Sequence, residues 1–145
     1  MRIDCALLCD AATVREGLLH VLGGGITRAG RPEYPAPLDL TLALRILIHP
    51  TEMDRRHQLE VRLQGADGEP IAGFEIAFES TDPGDLEPGE HASLALPLVP
   101  PPTVGLPKPG RYSFEVLIDG VHQATVPFIA HEIAPELAEG DLADE

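Results

Sequence analysis

The chain has no tryptophan, two tyrosines and four phenylalanines among its 145 residues, so its core must be built from Leu, Ile, Val and Ala. Lysine is almost missing. The ten basic residues include Lys108 alone, and Arg55-Arg56 is their one tight cluster, against 24 acids and a net charge of −14. Phosphate neutralisation needs clustered Lys and Arg, so a nucleic-acid binder is excluded, and anionic membranes are disfavoured on the same ground. Such a charge serves solubility first; the sharper reading is a cationic partner surface.

Cysteine is scarce as well. Cys5 and Cys9 are four extended residues apart, roughly 13 Å between Cα atoms, too far for a disulfide within a strand. Buried free thiols in a reducing compartment are expected. No long apolar run exists. The one near the N-terminus covers residues 5–9 and is closed by Asp10, too short for a signal-peptide core, and nothing approaches transmembrane length. The expectation is a cytoplasmic protein. At this length a single domain buries roughly two-thirds of its unfolded surface.

What the chain does have is punctuation and alternation. Its 14 glycines and 15 prolines are spread along the sequence, as in short strands joined by turns. Ile3, Cys5, Leu7 and Cys9 alternate with Asp4, Ala6 and Leu8, which predicts a first strand with Leu8 pointing away from the core. Residues 10–17 read as a connection, with one helical turn possible over 11–16. Residues 18–22 are apolar on both faces apart from His20, the pattern of a central strand, and 29–37 is a proline-rich loop or crossing arm. Leu38, Leu40, Leu42, Leu44, Ile46 and Ile48 form the cleanest alternation and predict a long strand with one buried face. Residues 57–79 read as a hairpin, with Leu59, Val61 and Leu63 followed by Phe74, Ile76 and Phe78. Residues 80–90 are an acidic loop. Leu94, Leu96 and Leu98 form a short strand that Pro97 confines to a sheet edge.

The last hairpin carries a register argument. A two-residue Asp119-Gly120 loop sets Phe114 opposite Thr125, which puts polar residues on the core face. A three-residue loop with a left-handed Gly120 at a bulge pairs Phe114 with Ala124 or Val126, and the pattern selects it. About eight strands without a 3.6-residue period predict an all-β fold: a single antiparallel β-sandwich over residues 1–131. Immunoglobulin-like topology ranks ahead of jelly-roll or C2-like topology. Residues 132–145 form an acidic tail, a short helix from Pro135 or a disordered segment.

Three stretches carry a resemblance: Asp-Cys-Ala-Leu-Leu-Cys-Asp at 4–10, Gly-Leu-Leu-His-Val-Leu-Gly-Gly-Gly at 17–25, and the Gly-Arg-Tyr-Ser-Phe-Glu segment that opens 110–120. With residues 38–63 they resemble a family of small uncharacterised bacterial proteins catalogued only as a domain of unknown function. The resemblance covers about residues 2–128. It implies the sandwich fold and brings no catalytic residue.

No motif for chemistry stands out. Gly23-Gly24-Gly25 lacks the glycine at 28 and the following helix that a dinucleotide fingerprint needs, and reads as a bulge or tight strand exit. Among His20, His49, His57, His91, His122 and His131 no pair has metal-ligand spacing, and His20 reads as a core or interface residue. Asp82, Asp85, Glu87 and Glu90 crowd one loop and raise a calcium reading, against which Pro83, Pro88 and Gly89 interleave them. Ser80, Ser93 and Ser113 sit in no nucleophile elbow. The expectation is a non-catalytic module, with no cofactor or metal, that binds a protein partner or its own copy through a sheet face or edge. The candidate surface is Leu7 and Leu8 on an unguarded first strand, with Leu47 and Leu117 as apolar positions on polar faces. The alternative is a small-molecule or cation-binding domain that uses the loops at one end.

Overall fold

A computed structural model describes residues 1–134. The described residues form strands and one 3₁₀ turn, Pro50–Glu52, so the all-β expectation holds. The strands are β1 (Arg2–Cys9), β2 (Ala11–Arg15), β3 (Leu18–Leu22), β4 (Arg28–Arg31), β5 (Ala36–Pro37), β6 (Thr41–Ile48), β7 (Arg56–Gly65), β8 (Pro70–Glu79), β9 (Ala92–Leu98), β10 (Gly105–Leu106), β11 (Gly110–Ile118) and β12 (Val121–Glu132). They make a three-stranded sheet in the order β1-β6-β9, a five-stranded sheet in the order β4-β12-β11-β7-β8, a short β5–β10 ladder and a β2–β3 ribbon.

One core lies between the two larger sheets. From the three-stranded sheet it takes Leu8, Leu42, Leu44, Ile46 and Ile48; from the five-stranded sheet it takes Leu59, Val61, Leu63, Phe114, Val116 and Phe128. Every second residue of β6 is therefore buried as the alternation predicts, each such side chain contributing roughly 1.5–3 kcal/mol of transfer free energy. Tyr112 and Phe114 both stack on Phe128, with ring centroids 5.7 and 5.9 Å apart, which concentrates the few aromatic rings at one place.

Twelve strands are seen where about eight are expected, and β2, β4, β5 and β10 are the additions. Each is too short or too polar to show a period of its own. β4 also departs from the antiparallel expectation, because it runs parallel to β12 with Ala29 opposite Ala130. The stretch read as a connection at 10–17 is half of a ribbon. Glu16 (φ 56°) and Gly17 (φ 74°) make a two-residue turn, and Arg15 pairs with Leu18. β3 is accordingly not central. It pairs with β2 alone, and Leu18 and Leu22 are 60% and 71% exposed.

The last hairpin reaches the expected register by another device. Phe114 does pair with Val126. The loop, however, has two residues, with Asp119 (φ 50°) and Gly120 (φ 81°) both left-handed, and Ile118 pairs with Val121. A bulge at Gln123 then restores the phase, since Leu117 faces His122 while Val116 faces Ala124. An inserted residue shifts side-chain parity by one wherever it sits. Glu132, assigned to the tail, closes β12, and the helix expected from Pro135 lies outside the described residues.

Candidate interaction site

The first strand is an edge, as expected, but its faces are exchanged. Ile3 pairs with Ile46 on the core side, and a bulge at Asp4 then sets Cys5 opposite Arg45. From there Ala6 and Leu8 point into the core, while Cys5, Leu7 and Cys9 lie on the opposite face. Leu8 is 1% exposed, which corrects the orientation drawn from simple alternation. The edge is also guarded. Asp4 at the bulge receives the Arg45 guanidinium, Nε to Oδ1 at 2.9 Å, and that pairing holds its carboxyl below the usual carboxylate range. Near the other end the Gly25 and Ile26 amides both donate to the Leu8 carbonyl, at 2.9 and 3.0 Å. The triple glycine is thus a tight strand exit. A side chain at Gly23 would meet Asp10, and one at Gly24 would meet Val21 and Leu7.

Other candidate residues separate as well. Leu47 is half-buried on the outer face of the three-stranded sheet, between Arg2 and Ser93. Leu117 is half-buried on the five-stranded sheet between Glu60 and His122. Leu47 shares the outer face of the three-stranded sheet with Leu7, whereas Leu117 belongs to the other sheet, so the three do not form one surface. Beside Leu117, Glu115 binds His122 Nε2 at 2.8 Å, Thr125 Oγ1 at 2.5 Å and Ser113 Oγ at 3.2 Å. Burial pushes the Glu115 carboxyl up, but these donors outweigh it and hold the group low.

The β2–β3 ribbon lies across the outer face of the three-stranded sheet. It packs on β6 and β9, which is why Ala43 and Ala95 are buried on the face away from the main core. Small side chains there let the ribbon approach. Ala12, Leu19 and Val21 turn inward and are half-buried; Ala11, Thr13, Arg15, Leu18, His20 and Leu22 turn outward and are exposed. His20, expected in a core or interface, is at the surface. Among the described residues the exposed large apolar side chains are Val14, Leu18, Leu22, Val99 and Val121. Three of the five sit on this arm.

The same outer face separates the two thiols. Cys9 is fully buried and its Sγ contacts the Thr41 carbonyl at 3.5 Å; burial raises its pKa. Cys5 is half-buried. The expected burial of both thiols therefore holds for Cys9 and is corrected for Cys5. A thiol reagent at neutral pH is expected to modify Cys5 in the native protein and Cys9 only after unfolding, read as one and then two adducts by intact mass. Rapid native labelling of Cys9 would contradict its placement.

The structure also holds a polar network that the motifs did not suggest. His57 is 5% exposed. Its Nδ1 lies 2.6 Å from Asp119 Oδ2 and its Nε2 lies 2.6 Å from the Glu52 carbonyl oxygen. A carboxylate and a carbonyl both accept, so the arrangement favours the imidazolium, in which both ring nitrogens donate. Burial pulls its pKa down, but Asp119 and the Glu52 carbonyl outweigh this and raise it; Asp119 is correspondingly lowered by His57 and by the Gln58 amide. The network ties the 3₁₀ turn to the last hairpin and is structural. One signal was available: His57 falls two residues before Leu59, on the core parity of β7.

The acidic loop spends carboxylates on its own backbone. Asp82 Oδ1 accepts from the Gly84 amide at 2.8 Å and Glu90 Oε1 from the Glu87 amide at 3.1 Å. Among the described residues no group of three or more His, Cys, Asp or Glu side chains is placed to hold a metal ion. No helix among them is long and apolar enough to cross a membrane.

In comparison with known proteins, residues 4–131 match the model of a family of unknown function, DUF6941. No curated protein and no solved structure matches the chain.

Proposed function

The chain belongs to this family, whose function is unknown, and we propose that it is a non-catalytic protein-interaction module presenting the β2–β3 arm to a protein partner or a second copy. The observation that carries the reading is the arm itself. A two-stranded ribbon is marginally stable alone, yet this one turns Leu18 and Leu22 outward among Thr13, Arg15 and His20, at 60% and 71% exposure. Apolar side chains displayed together in this way mark sites of association. Part of the same reading is an immunoglobulin-like sandwich. It is supported by Tyr112 near the start of β11, whose hydroxyl donates to the Lys108 carbonyl four residues upstream at 2.5 Å, the contact of a tyrosine corner. A bacterial, cytoplasmic setting completes it, with two free cysteines at home in a reducing compartment.

The test is Leu18→Ser with Leu22→Ser in the full chain. Both side chains are exposed, so stability should change by less than about 0.5 kcal/mol. Sedimentation velocity and co-purification from the native host should both be compared with wild type. Loss of self-association or of a stoichiometric partner is expected. A wild type that is monomeric and partnerless, and a variant identical to it, would reject the arm as the interaction surface.

A further inference from the structure

The two larger sheets leave four edge strands: β1 and β9, β4 and β8. Free edges expose alternate backbone N–H and C=O groups, and folded proteins guard them with prolines, bulges, lysines or short length. Three of the four are guarded. β1 has its bulge at Asp4 and the 25–26 amides on Leu8; β9 contains Pro97 and packs against the ribbon; β4 has four residues. β8 differs. It spans ten residues, with Pro70 at its first position and an irregularity confined to that end, where Gln64 pairs with Pro70 and Leu63 with Ala72. Beyond it, residues 72–79 pair with β7 in unbroken register and have nothing on their other side among the described strands.

The side chains of β8 alternate in a way that specifies what would pair with them. Ala72, Phe74, Ile76 and Phe78 face the core side but stay half-buried, because the sheet ends there. Glu75 and Glu79 are exposed on the opposite face. Beside residues 70–74 runs a groove of about 660 Å³, walled across from β8 by Pro101, Val104 and Pro107. On the same face Arg56 of β7 lies opposite Glu79 and Gln58 Nε2 donates to Glu75 Oε2 at 2.7 Å, so acids outnumber bases on this side without standing alone. Between Arg62 and Lys108 the sequence has no Lys or Arg and carries Asp67, Glu69, Glu75, Glu79, Asp82, Asp85, Glu87 and Glu90.

We propose that the free edge of β8 receives an extended basic segment of another protein as an added strand, its apolar residues covering Phe74, Ile76 and Phe78 and its alternating Lys or Arg facing Glu75 and Glu79. Backbone pairing supplies affinity in strand addition, and alternate side chains supply selectivity. Opposite charges directly across a strand pair add roughly 0.2–1 kcal/mol each, and like charges oppose pairing. A second copy is therefore disfavoured as occupant, since β8 against β8 brings carboxylates together. This proposal uses a different surface from the arm, and either stands if the other fails.

The probe is an acetylated, amidated nine-residue peptide alternating Lys and Val, added to the full-length protein at low ionic strength. Its controls are a Glu/Val alternating peptide and a peptide with the Lys and Val residues in separate blocks. Binding by fluorescence anisotropy should follow alternation and positive charge, and hydrogen exchange should show new protection within 71–79. Glu75→Lys with Glu79→Lys should weaken binding at least tenfold, while Glu33→Lys with Glu132→Lys, the same charge change at exposed positions off both the arm and β8, should weaken it less than threefold. Circular dichroism establishes that both variants are folded. Equal binding of the block peptide, protection on another strand, or equal losses in the two double variants would overturn the proposal. So would a wild-type dimer that the β8 variant dissociates, which would make a second copy the occupant.

Discussion

Leu8→Lys is expected to remove most or all of the protein's stability and to leave no folded chain in which an edge contact could be measured. The side chain is 1% exposed and packs between the two larger sheets. Truncating a buried leucine costs about 2–5 kcal/mol. An ammonium in the same place adds the penalty of an unpaired buried charge, several kcal/mol more, unless the lysine is neutralised. Native proteins have about 5–15 kcal/mol in total. Urea titration should show an unfolded baseline or a midpoint near zero. Leu7→Lys, on the opposite face of the same strand and half-buried, should keep a cooperative transition. If the two variants unfold at the same urea concentration, the bulge at Asp4 is misplaced.

The second large effect concerns His57 and Asp119. His57 is raised above the ordinary histidine value of 6.5, so its contribution is complete below that pH and is lost as pH rises through the folded value. Asp119 is lowered below 3.8, so its contribution is complete above that pH and is lost as pH falls through its folded value. The pair therefore stabilises fully between about 3.8 and 6.5 and less on either side. Asp119→Asn leaves the buried imidazolium without its carboxylate, at a cost of about 1–3 kcal/mol near pH 5.5, because Asp119 itself is half-exposed. The loss should shrink on the alkaline side, where His57 is neutral in both proteins. A cost that stays constant from pH 5.5 to 9 would mean that the histidine is not charged in the folded state.

These two sites mark the border of what the amino-acid order makes legible. β6, the β7–β8 hairpin, the β9 edge and the pairing of Phe114 with Val126 follow from strict alternation, where one parity is apolar and the other is not. In β1 the order fails, because Ala6, Leu7 and Leu8 are consecutive apolar residues and either parity is acceptable. Only the pairing with β6 reveals that Asp4 is the extra residue. The ribbon was hidden for a related reason. Glu16 in a left-handed conformation is uncommon outside Gly, Asn and Asp, so Glu16-Gly17 gives little sign of the turn that Asp119-Gly120 announces. His57 and Asp119 are 62 residues apart and meet only in the fold. The free edge of β8 was equally out of reach, since neighbour order in a sheet is a tertiary fact.

The parallel pairing of β4 with β12 has a consequence for how the protein is made. Arg28 meets Ile129, and Arg31 meets Glu132, across about a hundred residues of chain. A ribosome adds roughly 5–20 residues each second, so a completed β4 waits several seconds for its neighbour to be synthesised. During that interval the core faces of β1 and β6 have no finished five-stranded sheet against them. Vectorial synthesis thus leaves the amino-terminal third dependent on the last strand, and a nascent chain stalled before residue 129 should be a substrate for chaperones that hold exposed apolar segments.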